Sequence, residues 1–169
     1  IDAHGGGISH ALGTGGRDVI AEIGGASMRH AVDLLAADDS TKVIAIVSKP
    51  PAPEVARAVI ERLAAARKPG VVLFLGHRFA PGELPAGIRP ADTLEEAAVT
   101  AVALAQGREP SAPAGEGESL ALAQAEVRQL APGQRHLRAL YSGGTFCTEA
   151  LLAWRSLGLE AWSNTPLDP

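Results

Sequence analysis

Gly5-Gly6-Gly7-Ile8-Ser9-His10-Ala11-Leu12-Gly13-Thr14-Gly15-Gly16-Arg17-Asp18 is the stretch on which the reading of the fold turns. Residues 8–12 read as a short buried strand that empties into a glycine-rich turn ahead of a helical segment. A strand feeding such a turn gathers backbone N–H groups around one point, where the helix dipole favours negative charge. A second copy of the device closes the chain. Residues 137–141 (Leu-Arg-Ala-Leu-Tyr) read as a strand, followed by Ser142-Gly143-Gly144-Thr145 and a helix. Either turn alone is equally a bend that needs positive φ. Neither is a G-x-G-x-x-G or a P-loop string. Two of them in one small α/β unit bring anion binding level with the plain-turn reading.

Between the turns, buried strands alternate with amphipathic helices. Residues 18–23 suit a short helix, and Ser27 a cap for the next one. Met28, Ala31, Val32 and Leu35 follow at helical spacing. Residues 43–47 and 71–75 are continuous apolar runs, rich in Val and Ile, that read as strands buried on both faces. Val55, Val59, Ile60 and Leu63 line a helix between them. Residues 76–90 read as a long Pro/Gly loop. Asp92 or Thr93 caps a helix through Leu94, Ala98, Ala101 and Ala105. Residues 107–117 are Pro, Ser, Gly and Glu with almost no large apolar side chain, which marks a linker. A helix carrying Leu120, Ala123, Val127 and Leu130 follows it, and residues 159–162 suit one more strand. Such alternation predicts an α/β parallel sheet with helices on both faces. Ligands of such sheets bind beyond the carboxyl ends of the strands. That rule selects residues 13–18, 48–52, 76–90 and 142–146.

Composition narrows the classes. The chain has 169 residues, 46% hydrophobic and 20% charged, as in a folded domain. A net charge of −4 and the lack of any basic run argue against a nucleic-acid surface. One cysteine, Cys147, excludes an internal disulfide scaffold and fits a reducing cytoplasm. No apolar run approaches a membrane span, and no signal peptide is visible. The chain begins directly at a strand without Met, as a fragment of something longer would.

The chemistry-bearing residues lie at the same edge. His77 follows a buried strand and suits a base or phosphoryl acceptor, or else a loop imidazole on a carbonyl. Arg17 and Arg78 could clamp a carboxylate or phosphate, and Lys49, held between Ser48 and two prolines, could offer an ammonium. His4, His10 and His30 do not form a metal pattern, and none is expected. Cys147 falls in the first turn of the last helix, where the dipole would lower its pKa; with no histidine placed to activate it, it reads as a small buried thiol.

The strings at residues 8–18, Ile23-Gly24-Gly25, Val47-Ser48-Lys49-Pro50-Pro51 and residues 140–150 resemble the FdrA family, bacterial relatives of the succinyl-CoA synthetase α subunit. The resemblance implies flavodoxin-like ligase domains. Residues 1–106 look like a first ligase domain lacking its opening strand and helix, residues 107–118 a linker, and residues 119–169 a helix plus the opening strand-turn-helix of a second. Ser142, Gly143, Gly144, Thr145 and Glu149 match the Ser-Gly-Thr-x-x-x-Glu string that begins a synthetase ligase domain, where the turn points at an active-site phosphate. Two departures remove the synthetases' phosphohistidine relay. Gly76-His77-Arg78-Phe79 stands in place of Gly-His-Ala-Gly, and Ser48-Lys49-Pro50 in place of the partner glutamate string.

Two function classes follow. In the first, the chain is part of an acid–thiol ligase or carbamoyltransferase in the cytoplasm. It handles an acyl phosphate, an acyl-CoA or a carbamoyl group, with CoA or phosphate as ligand. Gly13, Gly15, Gly16, Ser48, Ser142, Gly143, Gly144 and Thr145 hold an oxyanion, Arg17 and Lys49 add charge, and His77 is the catalytic candidate. FdrA-like proteins are linked with allantoin breakdown, hence purine catabolism. In the second, the chain is a non-catalytic scaffold or subunit-contact domain. Both expect a homo-oligomer or another ligase subunit as partner, and neither a membrane. A dinucleotide-binding domain is weaker, because Ser48 and Lys49 stand where an acidic ribose ligand belongs.

Overall fold

A computed structural model describes residues 1–111 and 116–168. Three parallel strands, β1 (Ile44–Ser48), β2 (Gly70–Phe74) and β3 (Ile88–Pro90), form one sheet in the order β1-β2-β3. Ile44 lies opposite Gly70, Ser48 opposite Phe74, and Gly70 opposite Ile88. Among the described residues five α-helices accompany them: α1 (Ala26–Ala37), α2 (Pro53–Ala65), α3 (Leu94–Ala105), α4 (Glu116–Val127) and α5 (Gly144–Ser156).

The strand pleat sorts the core into two layers. Val72 and Phe74 of β2 point to one face and pack with Ile44, Ile46, Ile88, Met28 and Val32 of α1, and Val55, Val59 and Leu63 of α2. Val71, Leu73 and Leu75 point to the other, against Ala97 and Ala101 of α3, with Leu152 of α5 alongside. Each fully buried Val or Leu contributes roughly 1.5–3 kcal/mol. The protein is therefore an α/β domain with a flavodoxin-like parallel sheet and helices on both faces. Among the described residues no helix is long and apolar enough to cross a membrane.

Several local expectations are corrected. Residues 8–12 form no strand, and Ile8 and Leu12 stay 64% and 47% exposed. Glycines on either side raise the entropy of ordering that segment, and it finds no face to bury. Residues 137–141 likewise join no sheet, with Leu137 and Leu140 exposed. Their neighbour α4 is itself exposed from Leu120 onward, so the expected apolar face of Leu120, Ala123, Val127 and Leu130 covers nothing. A short isolated strand with neither ladder nor covered face is not stable. Residues 159–162 are also outside any strand, and residues 18–23 are turns rather than helix. The loop after β2 ends in β3, so it is shorter than read. β1 alternates buried and exposed residues instead of being buried on both faces, and Val47 is 45% exposed. It is an edge strand, paired on one side only, with β2. The expected linker lies partly at 112–115, outside the described residues.

Candidate functional site

The four selected loops do gather near the carboxyl ends of β1 and β2, but they do not make one pocket. The first glycine turn does not open a helix directly; α1 starts at Ala26, and the residue that follows the turn, Asp18, caps it. Asp18, 3% exposed, turns inward, and its carboxylate accepts the amides of Ser27 at 2.9 Å and Met28 at 2.7 Å. It thus satisfies two donors that the first turn of a helix leaves free. Gly25, with φ of 69°, is the residue at which α1 starts, not Ser27. Gly15 also takes positive φ, whereas Gly13 and Gly16 do not. Arg17 is exposed. The start of α1 is thus filled by an internal acid, and the Gly13–Gly16 turn expected to hold an anion is not itself a helix start.

The second turn is different. Gly143 precedes α5 in extended conformation and provides no side-chain cap, nor does Ser142. The amides of Gly144, Thr145 and Phe146 have no side-chain acceptor among the described residues. The Lys49 ammonium, just past β1, comes within 3.6 Å of where a Gly144 Cβ would sit. The structure therefore brings Lys49 to Gly144 of the Ser142–Thr145 turn, almost a hundred residues later in the chain. The first turn touches the same β1 exit loop, where the Ala52 amide donates to the Val19 carbonyl at 2.9 Å.

Helix α5 is seated by two contacts. Leu152 lies against Gly76, where a Cβ would come within 3.1 Å of Leu152 Cδ2. Glu149 Oε1 accepts the Leu94 amide at 2.7 Å and so closes the start of α3. Thr93 completes that start by accepting the Glu96 amide, as its sequence position predicts.

Cys147 belongs to the Lys49 neighbourhood, which its sequence position alone did not reveal. Its Sγ is 3.4 Å from Thr165 Oγ1 and 3.6 Å from Ser163 Oγ. The Thr165 and Ser163 hydroxyls, then the Lys49 charge, hold the thiol below its ordinary range. It is half-buried rather than buried. The signal that could have found this group is the Ser163-Asn164-Thr165 string, which has no apolar role.

The contacts of His77 are with its own loop. Its Nε2 is 3.8 Å from Glu83 Oε1 and its ring stands edge-on to Phe79 at 4.6 Å. Arg78 pairs with Asp92 at 3.0 Å and so is engaged elsewhere. No group of three metal-ligating side chains occurs among the described residues. A groove of about 370 Å³ lies between α5 and residues 159–167, lined by Leu151, Arg155, Trp162 and Leu167 among others. None of the candidate residues lines it.

The protein is an α/β domain, and its candidate site is the uncapped start of α5 with Lys49 beside it at the carboxyl edge of the parallel sheet. Along its full length the chain is similar to a protein of Escherichia coli (strain K12), "Uncharacterized protein YahF", with 40% identity over 172 residues. The chain spans about a third of that relative's length, 32%. No family model matches the chain.

Proposed function

We propose that this chain is a ligase-type segment of an FdrA-like protein that binds a small acyl-phosphate, carboxylate or carbamoyl anion, without a phosphohistidine relay. The observation that carries the reading is the approach of Lys49 to Gly144 at the uncapped start of α5. Backbone amides there meet the anion, the dipole of α5 favours its charge, and the ammonium closes over it. Ser48 and Thr145 add hydroxyls within the same loops. CoA or phosphate is the ligand class, the setting is the cytoplasm, and the partner is a second copy or another ligase subunit.

The second reading is a subunit-contact domain with no ligand, and Asp18 favours it, since it already fills the start of α1 with an internal carboxylate. Melting temperature in the presence of phosphate, oxamate and carbamoyl phosphate separates the two. A ligand at 100 times its Kd stabilises the folded state by roughly 2.7 kcal/mol. The anion reading expects a rise with at least one of the three, lost in Lys49→Met. No rise with any of them leaves the contact-domain reading.

A further inference from the structure

β1 presents an open edge that nothing in its sequence guards. The Ile44 amide donates to the Pro69 carbonyl, and the Ser48 carbonyl accepts the Leu75 amide. Backbone groups of a parallel strand alternate between its two sides, so Ile44, Ile46 and Ser48 face β2. The N–H and C=O of Ala45 and Val47 face outward, with no backbone partner among the described residues. Both side chains are exposed. Proteins blunt such edges with lysine, proline or a bulge, and Ile-Ala-Ile-Val-Ser, in regular register with β2, has none of them. Residues 137–141, Leu-Arg-Ala-Leu-Tyr, are the matching half. They equal β1 in length and are exposed throughout, and residues 135–142 make no backbone-to-backbone hydrogen bond among the described residues. Three residues past Tyr141, Gly144 lies beside the ammonium of Lys49, the first residue past β1. The segment thus ends where β1 ends, and laid along that edge it runs parallel to β1. Helix α5, which follows it, is seated through Leu152 on the face formed by Val71, Leu73 and Leu75. Ala45 and Val47 stand opposite Val71 and Leu73 and share that face.

We propose that residues 137–141 are a strand poised to close on β1, extending the parallel sheet by one strand on its open side. Leu140 then lies beside Ile46, and Tyr141 beside Val47. The pleat turns Leu140, fully exposed in the open arrangement, toward the layer that holds Ile44 and Ile46. It sets Ala139 and Tyr141 on the α5 side. The Ala45 and Val47 amides donate to the Arg138 and Leu140 carbonyls, and the Leu140 amide donates to the Ala45 carbonyl. Closing removes apolar area from water at Leu140, Tyr141 and Val47, and it pairs the backbone of both partners. It also makes Ser142–Thr145 the exit loop of a sheet strand, level with the exit loop of β1. The change belongs to the chain alone and needs no anion. Residues 8–12 are the rival for the same edge, but Ser9 and His10 are held at Thr41 and Asp38, before β1 begins.

Hydrogen exchange in the 169-residue chain tests the closure. The Ile46 amide, turned to β2 in either arrangement, is the internal reference. The Ala45 and Val47 amides are expected to exchange at least about tenfold more slowly than freely exposed amides, as members of a ladder do. Leu140→Pro removes a donor and a side chain that the open arrangement does not use. It should return Ala45 and Val47 to the exposed rate while Ile46 stays slow. Leu140→Val should keep the protection. Exchange of Ala45 and Val47 at the exposed rate in the parent overturns the closure. So does protection that survives Leu140→Pro, or that falls with Leu12→Pro instead, which gives the edge to residues 8–12. Protection lost on about twentyfold dilution overturns it as well, since a second copy then covers the edge.

Discussion

Asp18 Oδ2 accepts the amide of Met28 at 2.7 Å, across a glycine turn, while its other oxygen takes the amide of Ser27. A carboxylate buried at a helix start satisfies two donors and complements the dipole. Asp18→Ala is expected to lower the unfolding free energy by about 1–2 kcal/mol. Asp18→Asn, which keeps one acceptor, should lose less. Urea denaturation followed by circular dichroism measures both, and an alanine variant as stable as the parent would remove the capping role.

The Cys147 thiol provides a direct probe of the Lys49 site. Thr165 and Ser163 hydroxyls and the Lys49 charge stabilise the thiolate. Its alkylation rate should therefore rise with pH through a midpoint below that of an ordinary thiol, since only the thiolate reacts. Thr165→Val is expected to move the midpoint up, and Lys49→Met to move it up less. Iodoacetamide modification followed by mass spectrometry across pH 6–10 reads the three curves. Coincident curves would place neither group at the sulfur.

Glu149 ties α5 to α3 through the Leu94 amide, and Leu152 seats the same helix over Gly76. Glu149→Ala should cost about 1 kcal/mol, as a lost helix cap does. It should also weaken any anion-induced rise in melting temperature, because α5 carries the uncapped amides. A double-mutant cycle with Leu152→Ala is expected to show coupling, as contacts sharing one helix do. Additive losses would mean that the two contacts act independently.

What the chain spells out locally, the fold obeys. Residues 71–75 are apolar throughout, and β2 is buried on both faces between two helical layers. Val55, Val59 and Leu63 recur at helical spacing and lie in the core. Misreadings occur where a partner decides. The pattern of residues 8–12 and 137–141 suits a strand, but whether a ladder and a covering layer exist is a non-local matter. The same holds for Val47, apolar yet 45% exposed because β1 forms the sheet edge. Ser27 is a plausible cap by position; the cap that wins comes from Asp18, earlier in the chain, because the glycine turn folds it back. The pairing of Lys49 with Gly144 joins loops almost a hundred residues apart, beyond the reach of spacing. His77 was legible as a residue at the strand edge, but its neighbours, Glu83 and Phe79, come from its own loop.

The acid limb of stability should report on Asp38. Hydrogen bonds from the Thr41 and Ser40 hydroxyls, with the His10 ring adjacent, bring its carboxyl down to about 2. An unfolded Asp titrates near 3.9. A group whose folded pKa is depressed contributes stability that is complete above its unfolded value and fades as pH falls toward the folded one. The contribution is thus expected to be full above about pH 4–5 and to disappear by about pH 2. Asp33 adds in the same direction, its carboxyl lowered chiefly by the hydrogen bond from Arg62. Asp38→Asn should therefore be less stable than the parent at pH 6, with the gap narrowing as pH drops through 4 to 2. Both groups are solvent-facing, so high salt should shrink the ionic part while leaving the hydroxyl bonds. Guanidinium-free unfolding in urea at stepped pH, in low and high salt, checks this; a gap that stays constant from pH 6 to 2 would show that the Asp38 carboxylate charge contributes nothing to the loop that leads into β1.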